Sequence, residues 1–283
     1  MKQKALPMMV LRKMMDLSIT ENQKIQTWLL IGAIFFAMRS CEYLKTTYKE
    51  ESKRTKIIRL RNIIFKKNNQ VIKNDTDEIV SADLVIINFE FQKNNVRNKS
   101  VHMFRTGDAI LCPVIAWATT VRRILSTIPS ASENTKVSMY YDGNTVREMT
   151  SATIRSRLRH IVCVIGENVL GFSKDEIGLH SIRSGGAMAM FLSGVSEIII
   201  QRVGRWESNA FMEYIREQVE TFTYGVSKKM LSHEKFYHLN NKNISEDKKI
   251  PGTKTESNKQ MYEGKGNNLC VPYTINYKNF LFD

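Results

Sequence analysis

The chain has 283 residues, 42% of them hydrophobic, and a formal net charge of +14 at neutral pH. That length allows one large domain or two small ones with a real core, and the charge points to a polyanion as partner, nucleic acid ahead of an anionic membrane. The longest apolar run, residues 27 to 38, is too short to cross a bilayer and reads as a buried helix. The N-terminus has no uninterrupted apolar stretch followed by small residues, so secretion is not indicated. Cys41, Cys112, Cys163 and Cys270 are widely spaced, form neither a C-x-x-C nor a zinc pattern, and read as reduced thiols of an intracellular protein.

Residues 1 to 20 read as a short basic lead-in, with Pro7 arguing against a helix at its very start. From residue 21, QTWLLIGAIFFAMRSCEYL is a strongly apolar helix ending near Arg39. Arg39 and Glu42 then form R-x-x-E, which standing alone would be an exposed ion pair at a helix end. Residues 45 to 67 are rich in Lys and Arg, and TKIIRLRNIIF alternates as a strand does. Lys53, Arg54, Lys56, Arg59 and Arg61 would line one sheet edge, as phosphate contacts or as charges guarding that edge.

A polar loop covers residues 68 to 78. ADLVIINFEF and KSVHMFR follow as paired strands around the Asn-rich QKNNVRN, which suits a hairpin turn. Lys93 sits at the entrance to that hairpin, with Arg97 and Lys99 nearby. GDAILCPVIAWATTVRRIL opens a helix with Pro113 in its first turn, and Trp117 belongs to the core. Pro129 closes it, and SMYYDG is a short strand and turn. Thr150 or Ser151 begins SATIRSRLRHIVCVIGENVL, an amphipathic helix with Ile154, Leu158, Ile161 and Ile165 on one side. Arg155, Arg157 and Arg159 fall on its polar faces, where they could contact the DNA backbone, and His160 reads as a histidine of the surface or of the site's surroundings rather than as a catalyst. From about residue 228 the chain is polar, charged and poor in aliphatic residues, as mobile segments are. Its final apolar patch, LCVPYTINYKNFLF, would either fold back on its own domain or tether subunits.

The richest stretch is residues 179 to 216, LHSIRSGGAMAMFLSGVSEIIIQRVGRWESNAFMEYIR. His180 and Arg183 are three apart, so at the start of a helix they share a face and can hold one anion, helped by the helix dipole. Phe211 and Ile215 would pack inward and leave the Tyr214 hydroxyl facing a cleft. Together with Trp206 these residues read as a nucleophile, an anion clamp and a hydrogen-bond donor. No metal-ligand spacing is present, so the cations are side chains, and no cofactor is expected. An isolated H-x-x-R means little, and Trp206 and Tyr214 would each be ordinary core residues if they stood alone.

The ordered set HSIRSGGA, GRWESNAF and YIR resembles the C-terminal signature of the tyrosine recombinases, the phage-integrase family. The resemblance covers roughly residues 20 to 226. It implies a mainly α fold with a small antiparallel β-sheet or hairpin (α+β), and a metal- and ATP-independent enzyme that cuts and rejoins DNA through a 3′-phosphotyrosyl intermediate. By the same resemblance Arg39 is the first catalytic arginine, Glu42 the acidic residue that props it, and Lys93 the acid that protonates the departing 5′ oxygen. His180 orients the phosphate or accepts the proton of Tyr214, Arg183 and Trp206 hold the phosphate oxygens, and Tyr214 attacks. Lys53, Arg54, Arg59, Arg97 and Arg155 are candidate DNA contacts. The implied partners are double-stranded DNA and further copies of the chain in a tetrameric synapse, with no membrane. The implied location is on DNA inside the cell, in the nucleus if the source is eukaryotic.

Two departures from the family accompany this. Trp206 and Tyr214 are eight residues apart, one fewer than in the best-known members, as in the version carried by eukaryotic mobile elements. Only about twenty residues precede the first helix, so the N-terminal DNA-clamping domain is expected to be absent, leaving residues 21 to 227 as the catalytic domain and 228 to 283 as the tail. The competing expectation is a DNA-binding protein without catalysis, in which GVSEIIIQRVGRW is a helix-turn-helix with Gly194 at the turn.

Overall fold

Thr20 starts the helix on which the domain is assembled. Its hydroxyl accepts the Gln23 N–H, and the Gln23 side chain returns to the Thr20 N–H, a reciprocal cap. The resulting helix, Glu21–Phe35, is buried from Ile25 to Ile34 on nearly every side, so it has to be surrounded. In the computed structural model, which describes residues 3–45, 57–91, 97–208 and 211–212 (the side chain of Arg97 excepted), that is how it sits.

The lead-in expected over residues 1 to 20 contains a helix of its own, α1 (Met8–Asp16). Pro7 stands just before it with φ −67°, the value its ring imposes, at a position where no N–H is needed. Val10, Leu11 and Met14 are buried against α2 (Glu21–Phe35), so this segment belongs to the core.

Among the described residues two antiparallel sheets follow. In the first, β1 (Ile63–Lys67), β2 (Gln70–Ile72), β3 (Leu84–Phe91) and β4 (Arg97–Phe104) lie in the order β2-β1-β3-β4. The expected β3–β4 hairpin pairs from Leu84 opposite Phe104 to Phe91 opposite Arg97; its tip, residues 92–96, lies outside the described residues. TKIIRLRNIIF becomes a strand only from Ile63. Residues 60 to 62 form a single 3-10 turn, closed by the Asn62 side chain on the Arg59 N–H at 2.8 Å. The loop expected after Asn68 holds a second hairpin: Asn68 and Asn69 both have positive φ, 50° and 63°, the pair of angles a two-residue turn between twisted strands requires. The second sheet is the small hairpin of β5 (Met139–Tyr141) and β6 (Val146–Glu148).

Helix α3 (Pro113–Thr127) begins on its proline and lays Trp117 against α2. A Cβ on Gly32 would come within 2.7 Å of that indole, so glycine is what lets the two helices approach. Helix α4 (Ser151–Ile165) is capped by the Thr150 hydroxyl and buries Ile154, Leu158 and Ile161 as its pattern predicts. Arg157 is not on an open polar face. It reaches Ser18 Oγ at 2.6 Å, Gln26 Oε1 at 3.1 Å and the Gln23 carbonyl, tying α4 to the α1–α2 connection, and burial pushes its pKa down to about 10.

A short helix, α5 (Glu167–Leu170), leads to α6 (His180–Leu192) and α7 (Glu197–Gly204). Around the end of α6 and α7 a small second cluster forms from Ala187, Ile200 and Phe211. The result is mainly helical with a small antiparallel sheet, the fold class expected. No helix among the described residues is long and apolar enough to cross a membrane.

Candidate active site

The R-x-x-E turn follows directly from the end of α2. Ala37 turns the chain with φ 42°, and Arg39 precedes a short 3-10 turn, Ser40–Glu42. Glu42 accepts the Arg39 N–H at 2.8 Å on Oε2 and lies 3.3 Å from Arg39 Nη1 on Oε1. The i, i+3 pair is therefore real but not on the surface: the Glu42 side chain is 1% exposed and that of Arg39 22%. A buried carboxylate needs compensation, and most of it comes from far away in sequence. Arg205 Nη2 donates to Glu42 Oε2 at 2.7 Å, and both side chains are out of solvent.

Helix α6 begins at His180. One of its N-terminal N–H groups is taken, since the His180 N–H donates to Gln3 Oε1 at 3.1 Å; nearby the Ser181 carbonyl accepts from the Leu6 N–H at 3.0 Å. The helix can lie this close to residue 6 and to α2 because it carries two glycines. A Cβ on Gly185 would meet the Leu6 carbonyl oxygen at 2.3 Å, and one on Gly186 the Ile34 carbonyl oxygen at 2.3 Å.

Arg183, one turn into α6, is 2% exposed. Its guanidinium donates through Nη1 to the Ala37 carbonyl and through Nη2 to the Gly204 carbonyl at 2.7 Å. It also lies 4.1 Å from the centroid of the Trp206 ring. Trp206 folds back over the end of α7, where a Cβ on Gly204 would overlap the indole at 1.6 Å, and its ring centroid is 5.7 Å from that of Phe211. His180 completes the group. The residue keeps exposed surface, but desolvation of its ring first, then the positive charges of Arg183 and Arg39, hold its pKa below the ordinary imidazole value, which favours the neutral ring at pH 7.

Arg39, Glu42, His180, Arg183 and Trp206 are thus brought together by the end of α2, the start of α6 and the end of α7. Lys93 and Tyr214 lie outside the described residues, as do Lys53, Arg54 and the side chain of Arg97. Arg59 is engaged within the protein, its Nη1 on the Asn134 carbonyl. Arg61 holds Glu90 at 2.9 Å, while Arg155 is exposed on α4. Sequence reasoning missed Arg205. The one available signal was an arginine between Gly204 and Trp206 in GRW, but its partner is 163 residues away. Among the described residues no group of His, Cys, Asp and Glu could hold a metal ion. An open cleft of about 550 Å³ lies elsewhere, between α3 and residues 74 to 77, and both its arginines are paired within it, Arg122 with Asp77 at 2.7 Å and Arg123 with Glu21 at 3.2 Å.

This mainly helical fold with its small antiparallel sheet is found in a solved site-specific recombinase. A solved structure that shares it is the XerH site-specific recombinase bound to palindromic difH substrate in a post-cleavage complex. The TM-score is 0.50 at 13% sequence identity, covering 81% of this chain and 54% of that one. The pre-cleavage complex of XerH with difH substrate gives a TM-score of 0.48 at 14% identity, covering 78% of this chain and 53% of that one. The chain therefore spans about half the length of the solved structures it matches. By sequence, no family profile matches the chain and no curated protein does.

Proposed function

We propose that the chain cleaves and rejoins strands of double-stranded DNA, with Tyr214 as the nucleophile of a tyrosine recombinase site. What supports the reading is the meeting of Arg39, His180, Arg183 and Trp206 from three separated segments: Arg183 lies under the Trp206 ring and bonds the Ala37 carbonyl two residues before Arg39, and His180 feels the charges of both arginines. The XerH structure that shares the fold holds difH substrate, and a formal charge of +14 suits the same kind of partner.

The chemistry assigns each group a task. Negative charge grows on the non-bridging oxygens as the phosphodiester is attacked, and guanidinium forks at Arg39 and Arg183 neutralise it. The Tyr214 oxygen bonds to phosphorus and the bond to the 5′ oxygen breaks. The Tyr214 proton passes to the neutral His180, and Lys93 protonates the leaving 5′ oxygen. The phosphotyrosyl link conserves the bond energy, so a returning 5′ hydroxyl reverses the step without ATP. Trp206 holds Arg183 in place and offers its indole N–H to an oxygen. The catalytic domain in this reading takes in α1 as well as the segment from residue 21 onward, since Val10, Leu11 and Met14 are part of its core, and copies of the chain associate on DNA.

A second reading has one observation in its favour. Arg183 is 2% exposed and two of its donors are already spent on backbone carbonyls, as suits a protein that binds DNA without cutting it. A nicked suicide duplex, incubated without divalent metal or ATP, separates the two. A protease-sensitive covalent adduct that disappears in Tyr214→Phe and falls at least a hundredfold in Arg183→Ala is expected. DNA binding with no adduct on a bound cognate site would establish the non-catalytic reading instead.

A further inference from the structure

We infer that Arg205 is a positioning residue for the anion site: it takes up the buried Glu42 carboxylate so that the Arg39 guanidinium stays oriented yet available to a phosphate. The inference deepens the reading proposed above and rests on it for the identity of the anion.

Glu42 sits between two guanidiniums that it does not hold equally. Arg205 Nη2 is 2.7 Å from Oε2 with both side chains buried, whereas Arg39 Nη1 is 3.3 Å from Oε1 and Arg39 keeps part of its surface in solvent. The shorter, drier, charge-assisted bond belongs to Arg205. Without it, Glu42 would be a buried carboxylate with Arg39 as its remaining cation among the described residues, and Arg39 would be drawn inward to compensate it. A guanidinium spent on an internal carboxylate is a poor ligand for a phosphate.

The backbone points the same way. Arg205 follows the last turn of α7 with φ 58°, a left-handed position where glycine is least strained and a Cβ is a cost. An arginine here has to be wanted for its side chain. That side chain stacks over the Phe89 ring at 3.5 Å and donates from Nη1 to the Phe36 and Val203 carbonyls, each at 3.0 Å. One guanidinium thereby fixes four things: the end of α2, the R-x-x-E turn, strand β3 and the end of α7. The neighbouring Gly204 carbonyl in turn accepts from Arg183, so both arginines of the site are registered to the same short segment.

The test uses the full chain and its Arg205→Met and Arg205→Lys variants. The Nε–Hε resonance of Arg39, assigned by its loss in Arg39→Lys, is followed by NMR while inorganic phosphate is added. In the native chain it shifts and saturates. In Arg205→Met at least tenfold more phosphate is expected for the same shift, with the fold checked by its thermal melt. Should the methionine variant not fold, Arg205→Lys, which keeps the charge but lacks the fork, is expected to need at least threefold more. A native-like phosphate response in the folded variant, or no response from native Arg39, overturns the inference. Suicide-duplex assays on the same proteins keep the two readings apart. A native chain that forms no adduct on a bound cognate site, while its phosphate response depends on Arg205, removes the recombinase reading and leaves the positioning role standing.

Discussion

His180 lies beside two cations that discourage it from holding a proton, as the proposed role of base requires. Burial is the larger cause and the charges of Arg183 and Arg39 add to it, all lowering the pKa from the usual 6.5. The sign follows directly. A base works when it is neutral, so a rate limited by His180 falls off on the acid side, with its midpoint below the 6.5 of an ordinary imidazole. The pH profile of adduct formation should show this acid limb, an NMR titration of the imidazole should give the same midpoint, and His180→Gln should abolish the limb. Gly204 makes an equally local prediction. A methyl group there would occupy the space of the Trp206 ring, so Gly204→Ala must expel the indole from its place over Arg183. We expect a loss of about 1–3 kcal/mol in a denaturant titration and an adduct yield that falls with it, since Arg183 loses the face it stacks on.

At the level of the elements, the site depends on how closely α6 approaches its neighbours. Gly185 and Gly186 face the carbonyl oxygens of Leu6 and Ile34, and backbone cannot move aside as a flexible side chain can. Gly186→Ala should therefore push α6 away from α2, costing about 1–3 kcal/mol of stability by urea titration. Because His180 and Arg183 ride on that helix, their NMR shifts should move while those of α4 residues do not. Some elements were legible because one local rule decides them. Pro113 and Thr150 start α3 and α4, and the apolar spacing of Ile154, Leu158 and Ile161 gives the buried face of α4. Others were not. The helix that starts after Pro7 is short and owes its order to burial against α2, and β2 hides in a polar stretch because its turn uses two asparagines with positive φ and its pairing partner supplies the order.

For the whole molecule, charge is the governing quantity, and only part of it is available to a partner. Arg59 and Arg61 stand in a basic stretch yet hold Asn134 and Glu90, and Arg157 is consumed in joining α4 to the turn before α2. Arg155 by contrast is exposed. If DNA is the partner, the logarithm of affinity falls linearly with the logarithm of salt concentration, with a slope set by the phosphates contacted. Arg155→Ala should reduce that slope by about one. Arg59→Ala should leave the slope alone and lower the thermal melting point, because its guanidinium is bonded within the protein. Fluorescence anisotropy on a labelled duplex over a range of salt concentrations measures both.

By itself the sequence determined the periodic helices, the long hairpin, the basic character and the set of residue types that phosphate chemistry uses, because spacing, capping and composition act over a few residues. Only the tertiary structure decided how charge is distributed among those residues. It put Glu42 out of solvent, gave it Arg205 as its closest partner and left Arg39 partly exposed. It also took Arg183 under the Trp206 ring and turned a basic lead-in into a helix of the core. The reason is physical: the free energy of a charge depends on what surrounds it after folding, and the groups that surround Glu42 come from opposite ends of the chain's fold.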